Sequence, residues 1–180
     1  MNNRFLGRLM MAASLLAGTG IASTHPADAD IVKSLTHEIR MYPSYTIWDD
    51  VNIRVSNGHV ELTGSVNQPF KKADLGRIAQ RVAGVSRIEN NLKVLPLSPN
   101  DDGLRLRVAR AIYGDAALQR YAMGANPSIH IVVEHGQVTL TGFVATELDK
   151  TIAGVRASGA GLSFGPVVNK LQVERPAKRS

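Results

Sequence analysis

Apolar and polar positions alternate in two stretches of this chain, in nearly the same way. Val51, Ile53 and Val55 are spaced by polar residues, Asn57-Gly58 follows, and Val60 and Leu62 resume the alternation up to Gly64. A period of two on either side of Asn-Gly predicts a β-hairpin with a two-residue turn of positive φ. With Asn57-Gly58 as the loop, Val55 faces Val60, Ile53 faces Leu62 and Val51 faces Gly64, so every apolar side chain lies on one face. The second stretch pairs Val133 with Val138, Ile131 with Leu140 and Ile129 with Gly142 around His135-Gly136. Gly64 and Gly142 leave the buried face without a Cβ, which predicts a bulge or the close approach of a helix.

A period of four precedes each hairpin: Ile31, Leu35 and Ile39 in the first case, Leu104, Val108 and Ile112 in the second. Each predicts a short amphipathic helix. Beyond the first hairpin, Pro69 suits a first helical turn, and Leu75, Ile78, Ala79 and Val82 form a stripe opposite Asp74, Arg77 and Arg81. Gly84 ends it, and residues 88–94 supply a last strand. Beyond the second hairpin, Leu148, Ile152 and Val155 form the expected stripe behind Thr146, with Gly154, Gly159, Gly161 and Gly165 predicting a shorter or more mobile helix.

The two patterns are copies of one unit. Residues 53–66 align with residues 131–144 without a gap, both reading I-x-V-x-x-G-x-V-x-L-T-G-x-V, and Asn90, Leu92 and Val94 correspond to Asn169, Leu171 and Val173. The predicted fold class is α+β: two tandem αββαβ modules, each a three-stranded mixed sheet with two helices packed on one face and the other face left to solvent. The expected division is a signal segment over 1–29, modules over 30–96 and 104–174, a linker over 97–103 with proline, aspartate and glycine, and a basic tail over 175–180.

The signal expectation rests on Arg4 and Arg8, an uncharged, largely apolar run over 9–21, and the small-x-small site Ala27-Asp28-Ala29. That run is too short to span a bilayer as a helix, and no transmembrane segment is expected elsewhere. The chain has no cysteine, which removes disulfides, thiolate metal sites, thiol nucleophiles and lipidation on cysteine. Its formal charge is +6 and stays positive without residues 1–29. In an exported protein such an excess suits anionic headgroups, polysaccharide or acidic proteins more than nucleic acid, and it equally serves solubility.

The repeated residues resemble the BON (bacterial OsmY and nodulation) domain family, whose hallmark is V-x-V-x-x-G-x-V-x-L-x-G and then, after a helix, G-V-x-x-V-x-N-x-L-x-V. The first copy carries both halves, including Gly58, Gly64, Gly84-Val85, Ile88 and Asn90; the second keeps Gly136, Gly142 and Asn169 but has Ser163-Phe164 in place of Gly-Val. The resemblance covers nearly all of 30–174. It implies a periplasmic envelope protein of the paired-BON kind, several of which are linked to osmotic stress, outer-membrane integrity or phospholipid binding. It carries over no catalytic residue.

One enzyme string is present, Gly161-x-Ser163-x-Gly165, but no aspartate or histidine follows Ser163 to complete a triad in nucleophile-elbow order. His25 leaves with the signal; His37, His59, His130 and His135 lack zinc-ligand spacing, and no phosphate-cradling glycine motif occurs. No catalytic residue, metal or cofactor is therefore expected. The candidate contacts are two basic clusters, Arg105, Arg107 and Arg110 on the second module's first helix and Lys71, Lys72, Arg77 and Arg81 on the first module's second helix. Either could meet anionic phospholipid at about 1 kcal/mol per residue, or simply be a solvated helix face. The expected partner is an anionic phospholipid surface, with envelope proteins bound in a chaperone-like way as the alternative.

Overall fold

The computed structural model describes residues 26–123, 126–161 and 165–174. The first module runs α1 (Pro26–Met41), β1 (Asp50–Ser56), β2 (His59–Val66), α2 (Pro69–Arg81), β3 (Arg87–Asn90) and β4 (Lys93–Val94). The second repeats it as α3 (Pro99–Tyr113), β5 (Ile129–Glu134), β6 (Gln137–Val144), α4 (Glu147–Ser158), β7 (Val168–Asn169) and β8 (Gln172–Val173). This is the tandem αββαβ architecture, with the last strand of each module split in two.

The hairpins form in the register read from the alternation: Val55 pairs with Val60, Ile53 with Leu62 and Val51 with Gly64, while Val133 pairs with Val138, Ile131 with Leu140 and Ile129 with Gly142. Asn57 and Gly58 both take positive φ, as do His135 and Gly136. The second hairpin strand lies centrally, antiparallel to the first and parallel to the split strand. Leu62, Leu75 and Leu92 close one core with Ile31, Leu35 and Ile39; Leu140, Ala153 and Leu171 close the other with Leu104, Val108 and Ile112.

Each turn is held from below by a helix carboxylate. Asp28 accepts hydrogen bonds from the backbone N–H groups of Asn57 (2.7 Å) and Gly58 (2.8 Å); Asp101 accepts them from His135 (2.9 Å) and Gly136 (2.8 Å). These bonds bring α1 and α3 onto the hairpins at the same point of the repeat.

The motif glycines and asparagines have separate tasks. Gly64 and Gly142 have φ of +109° and +99°, and a Cβ on either would lie 2.1 or 2.0 Å from the carbonyl oxygen of Asp50 or Ser128. The close approach is therefore by the facing strand's backbone and not by a helix. Asn90 donates to the carbonyl of Lys72 (2.8 Å) and accepts from the Leu92 N–H (3.3 Å); Asn169 does the same with Lys150 (2.7 Å) and Leu171 (3.2 Å). That turn of the chain splits the strand and drops Leu92 or Leu171 into the core.

Three expectations change. Residues 99–103, expected within a linker, belong to α3: Ser98 accepts from the Asp101 N–H (3.2 Å), Pro99 opens the helix, and Asp101 and Asp102 complement its positive end. Gly154 does not interrupt α4, which is 12 residues long against 13 for α2; without a Cβ it gives room to the Asn169 amide. The core face of α4 is Asp149, Ala153 and Ala157, whereas Leu148 and Val155 point outward at 67% and 65% exposure.

The N-terminal boundary also matters to the fold. Since α1 begins at Pro26, a cut after residue 29 would remove Asp28 and the first helical turn. Residues 1–25, the Gly161-x-Ser163-x-Gly165 string over 162–164, the Ser163-Phe164 departure and the tail over 175–180 lie outside the described residues.

Candidate functional site

The segment between α1 and β1 joins the modules. Thr46 and Asp49 form a local turn in which the Asp49 carboxylate accepts from the Thr46 N–H and hydroxyl, each at 2.9 Å, from the Asn67 N–H (3.0 Å) and from Lys71 Nζ (2.7 Å). Asp49 is fully buried and Lys71 is 4% exposed. A buried pair of this kind is costly to break, because the remaining charge has no water to turn to. It fixes the segment on the first module.

The same segment then covers the second module's open edge. Ile131 N–H donates to the Ile47 carbonyl (2.7 Å), His130 Nδ1 lies 2.6 Å from the Asp49 carbonyl, and Ile47 and Trp48 pack on the second core. Asn126 donates to the Arg40 carbonyl (2.8 Å), and Lys93 pairs with Glu134 (2.5 Å) across the junction. Tyr45 stands against the His130 ring, 5.4 Å between centroids, beside a cavity of about 320 Å³ lined by Thr46, Trp48 and Pro127 among others. Tyr45 and Trp48 are thus interface groups, whereas Tyr42 packs on the first core.

The basic candidates separate by burial. Lys71 is spent on Asp49. Arg105 is 5% exposed, donates to the Val133 carbonyl (2.6 Å) and pairs with Asp102. Both are corrected from surface contacts to structural cations, for the same reason: each is buried and bonded to groups of its own chain. Arg77 pairs with Asp74 and Arg81 donates to the Arg77 carbonyl, while Lys72 is half-buried. Tyr42 also holds Asp74, keeping that carboxyl below its usual pKa together with Arg77. The α2 cluster is therefore largely answered by its own side chains.

Arg107 and Arg110 differ. Both are exposed, and among the described residues neither makes an ion pair. Arg110 lines a groove of about 660 Å³ between α3 and α4, together with Ala111, Gly114, Val155, Arg156 and Gly159 among others, and Arg107 precedes it by three residues on α3. Gly161 lies against Arg107, since a Cβ there would be 2.9 Å from its Nε. Arg156 is paired with Asp115 at 2.6 Å; the Ala117 N–H first, and Arg156 next, hold the Asp115 carboxyl below its ordinary pKa. Beside the free arginines stand Leu106, 50% exposed on the same helix, and the outward Val155 of α4, which lines the groove with Arg110. Sequence reasoning found the arginines but assigned Leu148 and Val155 to the core, because bulk was read as burial.

Among the described residues, no group of three or more histidine, aspartate or glutamate side chains is arranged to hold a metal, and no helix is long and apolar enough to cross a membrane.

The geometry defines a duplicated α+β protein, two copies of one small fold joined where a turn of the first is bonded to the edge of β5 in the second. The chain belongs to the BON domain family, whose model matches residues 27–96 and again residues 100–175. Proteins with this domain are typically periplasmic, and the family is generally non-enzymatic. No curated protein matches the chain in sequence. Among solved structures it is similar to two chains of CdsD, a structural protein of the type III secretion system of Chlamydia trachomatis, one of them its C-terminal domain. Each is 16% identical with a TM-score of 0.32, over 81% of this chain and 61% or 65% of the other. The chain therefore spans less than two thirds of either.

Proposed function

We propose that this chain is an exported, non-enzymatic envelope protein that associates with anionic phospholipid through the α3–α4 groove of its second module. The observation that carries the reading is the juxtaposition of unpaired Arg107 and Arg110 with exposed Leu106 on the same helix and Val155 across the groove. Basic groups draw the surface to anionic headgroups at about 1 kcal/mol each, and apolar side chains beside them add contact with the acyl boundary. The α2 cluster is the weaker candidate, because Asp49 and Asp74 already neutralise Lys71 and Arg77. Support of envelope integrity under osmotic stress is the role the family resemblance attaches to such binding.

The test is co-sedimentation of the purified protein with vesicles of phosphatidylglycerol and phosphatidylcholine against phosphatidylcholine alone, at low and at physiological salt. Binding to the anionic vesicles alone, weakened by salt and by Arg107→Ala/Arg110→Ala, is the expected result. Loss of binding on Arg77→Ala/Arg81→Ala instead would move the site to the first module. No binding at either salt would overturn the reading in favour of an envelope-protein partner.

A further inference from the structure

The two modules treat the outer edge of their first strand differently. In the second, one backbone group facing away from β6 is taken on each of Ile129, Ile131 and Val133: Tyr113 donates to the Ile129 carbonyl, the Ile47 carbonyl receives the Ile131 N–H, and Arg105 donates to the Val133 carbonyl. All three side chains are fully buried. In the first module the corresponding residues are Val51, Ile53 and Val55. Four residues beyond Asp101 stands Arg105, but four beyond Asp28 stands Val32, which offers no donor; where α3 has Tyr113, α1 has Arg40. Among the described residues nothing bonds the outer edge of β1, and Val51, Ile53 and Val55 are only half-buried, beside Val32 at 36% exposure.

An open edge is a template for another strand, and proteins that leave one unused blunt it with a helix, a loop or a charge pointing inward. This chain shows the remedy within itself, since the Thr46–Asp49 turn does this for β5 through the Ile47 carbonyl. For β1 the sequence supplies a self-complementary partner. Laid antiparallel on a second copy about Ile53, Val51 meets Val55, Asn52 meets Arg54 and Asp50 meets Ser56. Apolar residues then share the core-facing side, and no like charges stand opposite one another.

We propose that the outer edge of β1 is a self-association site, at which two copies of this chain pair Val51–Val55 antiparallel across a two-fold axis into one continuous sheet. The contact is isologous, so it closes at a dimer instead of growing into a filament. It consists mainly of backbone bonds and a few half-buried side chains, which is a small interface, and the association is accordingly weak and concentration-dependent. This proposal is independent of the lipid reading.

Sedimentation velocity of the purified chain across a wide concentration series reads the dimer directly, and two substitutions at the exposed Asn52 test the register. Asn52→Arg places like charges opposite Arg54 twice per dimer and should weaken dimerisation about tenfold; Asn52→Glu places opposite charges there and should strengthen it by a similar factor. Far-UV circular dichroism confirms that both variants remain folded, and should the arginine variant unfold, the glutamate variant decides alone. A chain that sediments as a monomer throughout, or a dimer indifferent to the sign of the charge at position 52, would overturn the proposal.

Discussion

His130 Nδ1 lies 2.6 Å from the carbonyl oxygen of Asp49, so a ring in one module is fixed by the backbone of the other. A carbonyl only accepts, which places the hydrogen on Nδ1. The same Asp49 holds Lys71 with its carboxylate, and two residues earlier Ile47 receives the Ile131 N–H. One short segment is therefore bonded to α2 behind it and to β5 in front. The modules are consequently in direct contact at this junction as well as joined through the proline-containing segment.

The position of His130 makes the junction sensitive to acid. Burial pushes its pKa below the ordinary 6.5; the Asp49 carbonyl and the charges of Asp50 and Asp49 oppose that shift without cancelling it. The folded state thus keeps the ring neutral where the unfolded chain binds a proton. Stability from this group is complete above about pH 6.5 and declines as pH falls below it, at no more than about 1.4 kcal/mol per pH unit. Urea unfolding at pH 7.5 and at pH 5.5 checks this. His130→Asn, whose amide nitrogen takes the place of Nδ1 and does not titrate, should show a smaller loss between the two.

Asp28 and Asp101 carry equivalent loads, each holding two backbone N–H groups of a hairpin turn. Replacing either with alanine leaves those donors without their charged acceptor and should cost about 1–3 kcal/mol by denaturant unfolding. The greater loss is expected for Asp101, which is 2% exposed and cannot be replaced by water. The pair also bears on processing. If export removes an N-terminal segment, the mature protein should begin ahead of Asp28, despite the small-x-small pattern of Ala27-Asp28-Ala29. Intact-mass measurement on the exported protein decides it, and a mature terminus after residue 29 would mean that the first turn is held without its carboxylate.

The hairpins were legible because strand alternation and an Asn-Gly turn report local geometry directly, and the repeat doubled the signal. Other features depend on what lies across the fold. Proline, aspartate and glycine compose linkers and helix N-termini alike, so Ser98-Pro99 could be read either way. Positive charge reports nothing of burial, and Lys71 and Arg105 look the same in sequence as Arg107 and Arg110. The junction between modules was hidden most deeply, since the Ile47–Ile131 bond is between backbones far apart in the chain. Of the candidate site, the arginines of α3 were visible in advance, whereas the apolar residues beside them emerged only once Ala153 and Ala157 were seen to take the core.

Gly154 shows how far a local rule can be reversed by its surroundings. A glycine inside a helix ordinarily gains about 0.5–1 kcal/mol on replacement with alanine. Here a Cβ would stand 2.9 Å from Asn169 Nδ2, which donates to the Lys150 carbonyl and so pins α4 to the split strand. The amide must move, and the lost bond outweighs the gain in helix propensity, at about 1–3 kcal/mol for a polar group left unsatisfied. Gly154→Ala should therefore destabilise the protein. In an Asn169→Ala background the obstacle is gone, and the same substitution should stabilise by up to about 1 kcal/mol. A double-mutant cycle by urea unfolding reads this inversion of sign. If Gly154→Ala has the same effect in both backgrounds, the asparagine is not what requires the glycine.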